Sequence, residues 1–342
     1  MDLIHGTTRL DDRFLFLREI GHGISGVVLL ALDTRSQTQV AIKVFAPALL
    51  VAGELEVALL RAVDARDPDH HVPIVSFIHA FEFRGSLCIA MELLGPAIFQ
   101  RPRASAEDDA STMSSILEQV RQRPDKCVAR RHMELAALRT MVAQTCAALS
   151  VLHDMNIIHA DLKPENILYR DASSRCDIKL IDFGNAIDNV SVQTMATDHG
   201  FDIQTILYRA PEVAMGVSIS CAADMWSLGC IVLECVLGQP LFNATDRVAL
   251  LVQMQQLSAT PLTTILSRGL YTSAFERQAT LPTLSLDAIA DAYALDATDR
   301  HLRSFLASLL ETSPTQRMTA KQVRRSFRHK SDRPGRRSCT RF

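Results

Sequence analysis

Apolar runs of strand length open the chain. FLFLREI (14–20) and VVLLALD (27–33) flank the glycine-bearing GHGISG, and QVAIKVF (39–45) follows a polar turn at TRSQ, a pattern that predicts a three-strand meander. Pro47 then opens a helical stretch in which Leu55, Leu59 and Ala62 recur at helical spacing. Two further apolar runs, IVSFIHAFEF and SLCIAMELL, lie either side of Arg84 and Gly85 and suit a hairpin. Sheet plus one helix gives a small first domain, residues 1–94.

Beyond Gly95 and Pro96 the pattern changes. RPRASAEDDASTMSS is polar, acidic and serine-rich, so an exposed insertion is expected near 101–130. Leu135, Leu138, Val142, Thr145, Leu149 and Leu152 then share one helical face, and CAADMWSLGCIVLECVLG is apolar nearly all round, as a helix at the centre of a core would be. These helices define a larger second domain, 95–330, followed by a basic tail, 331–342. From Lys321 onward nine Lys or Arg face one Asp, and a solvated end is expected there rather than an anion-binding or import element.

Length supports the division, because 342 residues exceed one comfortable core. Composition adds little beyond globularity: 48% hydrophobic, 22% charged, and a formal net charge of -2 that gives no pull toward nucleic acid or membranes. Eight scattered cysteines without a CxxC pair read as reduced thiols. The polar N-terminus lacks the pattern of a signal peptide, and no apolar run reaches membrane-spanning length, so cytosol or nucleus is expected.

The candidate chemistry lies in four places. Gly21, Gly23 and Gly26, with Val28, spell GxGxxGxV between two strands, where missing β-carbons let backbone N–H groups approach phosphate oxygens. Dinucleotide folds use similar glycines, but lead them into a helix rather than a strand. Lys43 sits on an apolar strand, so its head group should meet an anion or reach solvent. Glu54 or Glu56 on the next helix can supply it, and Glu56 is preferred because Leu60 and Val63 continue its face. In IHADLKPENI, Asp161 can accept a proton from an attacking hydroxyl, Lys163 can neutralise a migrating phosphoryl group, and Asn166 can bind a metal through its amide oxygen. Asp182, in IDFG, can hold the second face of the same metal, and magnesium suits such hard oxygens.

From about Phe14 to about Gln322 the chain resembles the eukaryotic protein kinases. GHGISGVV, VAIK, HADLKPEN, DFG, APE, DMWSLG and TQRMTA occur in that family's order. The resemblance implies an α+β, bilobal fold with a β-rich N-lobe and a mostly helical C-lobe, using ATP and Mg2+. It implies that Val28, Ala41, Met91, Glu92 and Leu94 join the glycines, Lys43 and Glu56 in binding ATP, and that Asp161 is the catalytic base. Glu212 would meet Arg317, and Asp224 would brace the catalytic loop. DLKPEN is the serine/threonine form. YRAPEV and CIAMELLGP are similar to the CMGC branch, nearest to the dual-specificity tyrosine-regulated kinases.

Two departures qualify that likeness. The family's arginine before the catalytic aspartate, which grips an activating phosphate, is here Ala160. Where the tyrosine-regulated relatives carry a tyrosine before an IQ pair, this chain has Asp202, followed by Gln204, Thr205 and Arg209. Asp202 is read either as a permanent carboxylate in place of phosphate or as a solvated loop residue, with Thr194 and Thr197 as further modification sites. The expected activity is phosphorylation of serine or threonine in protein substrates by a monomer, tolerant of proline after the target. The alternative is a pseudokinase scaffold.

Overall fold

Strand parity sorts the first unit into two faces. In a computed structural model that describes residues 4–23, 25–99, 115–122, 133–173, 176–188, 203–217, 219–258, 260–266, 269–276, 284–292 and 300–328, the chain forms ten strands. They are β1 (Arg9–Leu10), β2 (Phe14–Gly23), β3 (Gly26–Asp33), β4 (Thr38–Phe45), β5 (Phe77–Phe83), β6 (Ser86–Glu92), β7 (Ile157–Ile158), β8 (Ile167–Tyr169), β9 (Ile178–Leu180) and β10 (Ile187–Asp188). The first six make an antiparallel sheet in the order β1-β2-β3-β4-β6-β5. Val28 lies opposite Lys43, and Ala41 lies opposite both Leu30 and Met91. Side chains alternate across a strand, so Val28, Ala41, Lys43 and Met91 share one face. The other face carries Leu29, Ala31, Val40, Ile42, Val44, Cys88 and Ala90, which close a core with Leu10, Phe14, Phe16 and Phe81.

Local chemistry sets the turns. Arg84 and Gly85 have φ of 52° and 76°, the paired positive values that a type I′ hairpin requires. Arg13 Nε and Nη2 donate to the two carboxylate oxygens of Asp33 at 2.9 and 2.7 Å, locking the start of β2 to the end of β3.

Helix α1 (Leu50–Arg66) buries Gly53, Glu56, Val57, Leu59, Leu60 and Val63 and packs on β5 and β6. The expected stripe of Leu55, Leu59 and Ala62 is thereby corrected. Leu59 is buried, but Ala62 faces out and Leu55 is 60% exposed. The helix is rotated because Gly53 meets the sheet closely, where a β-carbon would lie 2.7 Å from Leu87 Cδ2, and because Glu56 has an internal partner.

The chain divides into two compact units, one β-rich and one mostly helical, as the resemblance implies. The first gathers Met1–Ala97 with Leu168–Ala186, and the second Ile98–Ile167 with Ile187–Phe342. The division therefore falls after residue 97 rather than 94, and Leu168–Ala186 joins the first unit. The reason is pairing: β8 and β9 form a ribbon held by bridges Ala97↔Leu168 and Ile74↔Leu180.

In the second unit α2 (Ile116–Gln122) buries Ile116, Leu117 and Val120, and the Ser115 hydroxyl accepts from the Glu118 N–H at 3.2 Å. Residues 115–122 are thus packed, which corrects the exposed insertion over that stretch; residues 100–114 and 123–132 lie outside the described residues. Helix α3 (Leu135–Asp154) is long and apolar enough to cross a membrane by length and composition, yet it buries Leu138, Met141, Val142, Thr145, Leu149 and Leu152 within the unit. After α4 (Pro211–Met215) comes α5 (Ala222–Leu237), buried from Ala223 to Leu237. Then follow α6 (Arg247–Gln256), α7 (Leu262–Ile265), α8 (Thr272–Glu276), α9 (Leu286–Ala292), α10 (Arg300–Leu309) and α11 (Ala320–Arg328). Helix α11 packs on α3 with Val323 buried, so the solvated end does not begin at Lys321. The tail 331–342 is outside the described residues.

Arg317 closes this unit from its far end. Nη1 and Nη2 donate to Glu212 Oε1 and Oε2 at 2.7 and 2.9 Å, and both side chains are without solvent exposure. The same guanidinium donates to the carbonyls of Glu311 and Ala222 and lies 5.2 Å over the Trp226 ring. Glu212→Gln or Arg317→Leu leaves a buried charge unmatched, and each is expected to cost about 3–5 kcal/mol in urea unfolding of the whole chain.

Candidate active site

The glycine-rich turn is built by the register of β2 and β3, which sets Gly21 opposite Val28 and Gly23 opposite Gly26. Gly26 has φ of 137° and a β-carbon there would fall 2.0 Å from the Val44 carbonyl oxygen, so only glycine fits. A β-carbon on Gly23 would meet nothing within 4 Å, consistent with a backbone open to a ligand.

On the same sheet face as Val28 and Ala41, Lys43 is 6% exposed and holds two carboxylates. Its Nζ donates to Glu56 Oε2 at 2.7 Å and to Asp182 Oδ1 at 2.6 Å. The partner from α1 is Glu56; Glu54 is exposed. Burial works against the ammonium, but Glu56 and Asp182 outweigh it and hold the Lys43 pKa above its usual value. Glu56 also accepts the Phe183 N–H at 3.3 Å, so one carboxylate fixes both the lysine and the backbone after Asp182. Asp182 itself sits at φ of 64°, a left-handed conformation that aspartate tolerates better than most residues.

At the end of β6, Met91 faces Ala41, and Leu94 is half-buried. The Glu92 carboxylate is bound within the protein: Lys179 donates to it, as does the Ser76 N–H at 2.6 Å. Burial raises its pKa, but the Lys179 and Ser76 hydrogen bonds outweigh that and hold it below the usual carboxylate range. One carboxylate oxygen of Glu92 is thus committed to partners within the protein.

The second unit carries Asp161, Lys163 and Asn166. Asp161 Oδ2 accepts from Lys163 Nζ at 2.7 Å, while Oδ1 accepts the Thr205 N–H at 3.1 Å and hydroxyl at 2.7 Å. Asn166 Nδ2 donates to the Asp161 carbonyl at 2.9 Å, which turns its Oδ1 the other way. Beneath them Asp224, fully buried on α5, accepts from His153 Nε2 and the His159 N–H at 2.9 Å each and from the Ala160 N–H at 3.0 Å. Ala160 adopts φ of 60°, a conformation that costs alanine about 1–2 kcal/mol. Its N–H to Asp224 and its carbonyl, which takes the Gln204 N–H at 3.0 Å, keep it there. Arg209 Nε and Nη2 donate to the Gln204 carbonyl.

The oxygens of Asp182 and Asn166 are hard donors of the kind magnesium takes. Among the described residues no group of three or more His, Cys, Asp or Glu gathers as a metal cage, and magnesium bound beside phosphate does not need one.

A family model described as a protein kinase domain matches residues 14–327. The chain belongs to the protein kinase family. Serine/threonine-protein kinase ppk15 of Schizosaccharomyces pombe is 33% identical over 75% of this chain and 43% of its own length. Dual specificity tyrosine-phosphorylation-regulated kinase 2 of Drosophila melanogaster is 29% identical over 90% of the chain and 40% of its own. Dual specificity protein kinase CLK2 of Mus musculus is 30% identical over 72% and 48%. These relatives place the kinase in the CMGC branch, near the dual-specificity tyrosine-regulated group, and the chain spans less than half the length of each.

Several groups in this kinase site were not singled out in the sequence. Lys179 and His153 lie among ordinary strand and helix residues, and only the fold brings them to Glu92 and Asp224; Gln204 stood out only as part of an IQ pair, and its tie to Ala160 likewise comes from the fold. Asp202, Thr194 and Thr197 lie outside the described residues.

Asp224 gives the kinase a definite acid response. Burial raises its pKa, but the His153 hydrogen bond and the nearby His159 outweigh it and hold the group below its usual value. Its stabilisation is complete above the unfolded value near pH 4 and is lost as pH falls toward the lower folded value. Thermal melts below about pH 4 are expected to slope steeply for the parent chain and more gently for Asp224→Asn.

Proposed function

We propose that this chain transfers the γ-phosphoryl group of ATP to serine or threonine hydroxyls of protein substrates. The observation that carries the reading is the Lys43 ammonium held at once by Glu56 and Asp182, an arrangement suited to steadying phosphate charge. Asp161, its two oxygens fixed by Lys163 and Thr205, takes the proton of the substrate hydroxyl as the new O–P bond forms. Lys163 offsets charge on the migrating group, the bond to the bridging oxygen breaks, and ADP leaves. Asp182 and Asn166 would hold magnesium, which supplies charge neutralisation at the phosphates.

The same geometry supports tolerance of proline after the target residue. The Gln204 carbonyl already accepts two donors from Arg209, so it offers little to a docking peptide N–H, and a proline lacking that N–H forfeits nothing. Peptide arrays are expected to be enriched in Ser-Pro or Thr-Pro, and a flat profile at that position would remove this part of the proposal.

With magnesium-ATP and a generic basic protein, Asp161→Asn is expected to lower kcat by about 10²–10⁴-fold. Asp182→Asn should reduce turnover as severely while nucleotide binding, followed by thermal shift, persists. Equal rates for parent and Asp161→Asn would end the enzyme reading and leave a scaffold.

A further inference from the structure

Gln204 is 6% exposed, yet every polar group it has is engaged. Its Nε2 donates to Ser227 Oγ at 2.8 Å and to the Ala223 carbonyl at 3.1 Å. Its Oε1 accepts the Ala210 N–H at 2.9 Å, its own N–H donates to the Ala160 carbonyl, and its carbonyl accepts from Arg209. One residue thereby joins three pieces of backbone: the residue before Asp161, the first turns of α5, and the segment entering α4. Ser227 extends the tie, since its hydroxyl donates to the Tyr208 carbonyl at 2.7 Å, and the Tyr208 hydroxyl donates to Glu234 at 2.7 Å.

Two further features show that this is a built junction. Gln204 has φ of 64°, a left-handed conformation that glutamine rarely adopts and that persists only when the surroundings over-determine it. The residue after it is Thr205, whose N–H and hydroxyl both reach Asp161. Displacing Gln204 displaces the group that aligns the base.

We propose that Gln204 is a positioning residue that orders segment 203–210 against the catalytic loop without any phosphate. The proposal rests on the kinase reading and adds its regulation: the unmodified chain already holds Thr205 on Asp161. Where the resembled family uses an arginine to grip an activating phosphate, Ala160 offers only backbone, and that backbone is gripped by Gln204. A neutral amide suits the task, because its donors and acceptor are all matched and no charge has to be desolvated. Gln204→Glu keeps the shape but removes both Nε2 donors and turns a carboxylate toward two oxygens.

The test uses the full chain made in bacteria, treated with phosphatase and verified as unphosphorylated by mass spectrometry. Hydrogen exchange across 203–217 and peptide phosphorylation are measured for the parent, Gln204→Glu, Ser227→Ala and the double variant. The parent is expected to be protected and active. Gln204→Glu should lose protection in 203–210 and lower kcat at least about tenfold, with the KM for ATP nearly unchanged. Ser227→Ala, which leaves the segment's own residues intact, should act in the same direction, and the double variant should fall well short of the sum of the two effects. Should Gln204→Glu fail to fold, Ser227→Ala alone carries the test. Unaltered protection and kcat in the variants, or a parent segment protected only after phosphorylation, would overturn the proposal. A parent inactive in every phosphorylation state but with 203–210 protected through Gln204 and Ser227 would refute the kinase reading and support the ordering role.

Discussion

A single buried carboxylate organises the second unit. Asp224 accepts hydrogen bonds from the His153 ring and from two consecutive backbone N–H groups, those of His159 and Ala160. A carboxylate so deep in a helix that is buried on all sides is tolerable only because those donors replace water. In return it holds Ala160 in a left-handed conformation, and that conformation aims the next residue, Asp161, and presents the Ala160 carbonyl to Gln204. Through Ala160, the positions of Asp161 and Gln204 are thus tied to this one carboxylate.

The first unit solves a different problem with the same means. Its sheet has one face closed by aliphatic and aromatic side chains and one that carries Val28, Ala41, Met91 and the Lys43 ammonium. A charge on a strand is stable there because α1 and the segment after β9 each deliver a carboxylate to it. A second internal pair, Glu92 with Lys179, ties the end of β6 to β9, the strand that leads into Asp182. Backbone hydrogen bonding shapes the sheet, while ion pairs fix what lies on it.

Much of this was legible in the sequence, for identifiable reasons. Apolar runs of strand length bounded by turn residues placed the strands, and glycine, lysine and acid spacing picked out Gly26, Lys43, Glu56, Asp161 and Asp182 as candidates. What escaped depends on contacts remote in sequence. The rotation of α1 away from the Leu55 stripe follows from Gly53 against Leu87, which no apolar count shows, and it agrees with the Glu56, Leu60 and Val63 face that the search for a lysine partner picked out. Helix α2 was hidden by polar neighbours, since only Ile116, Leu117 and Val120 mark its buried side. The grouping of Leu168–Ala186 with the first unit arises from isolated bridges that no local pattern encodes. Gln204 looks like a loop residue until Ala160, Ser227 and Ala210 close around it.

The arrangement at Lys43 has a consequence of a logical kind. Its two anionic partners come from positions 126 residues apart in the chain, Glu56 and Asp182, and both converge on one nitrogen. Glu56 reaches further still, to the Phe183 N–H. The ammonium is therefore fully matched only when helix and segment are in place together. Chemically, the lysine's electrostatic state depends on helix and segment jointly, so any ligand that senses its charge reads their conjunction rather than either one.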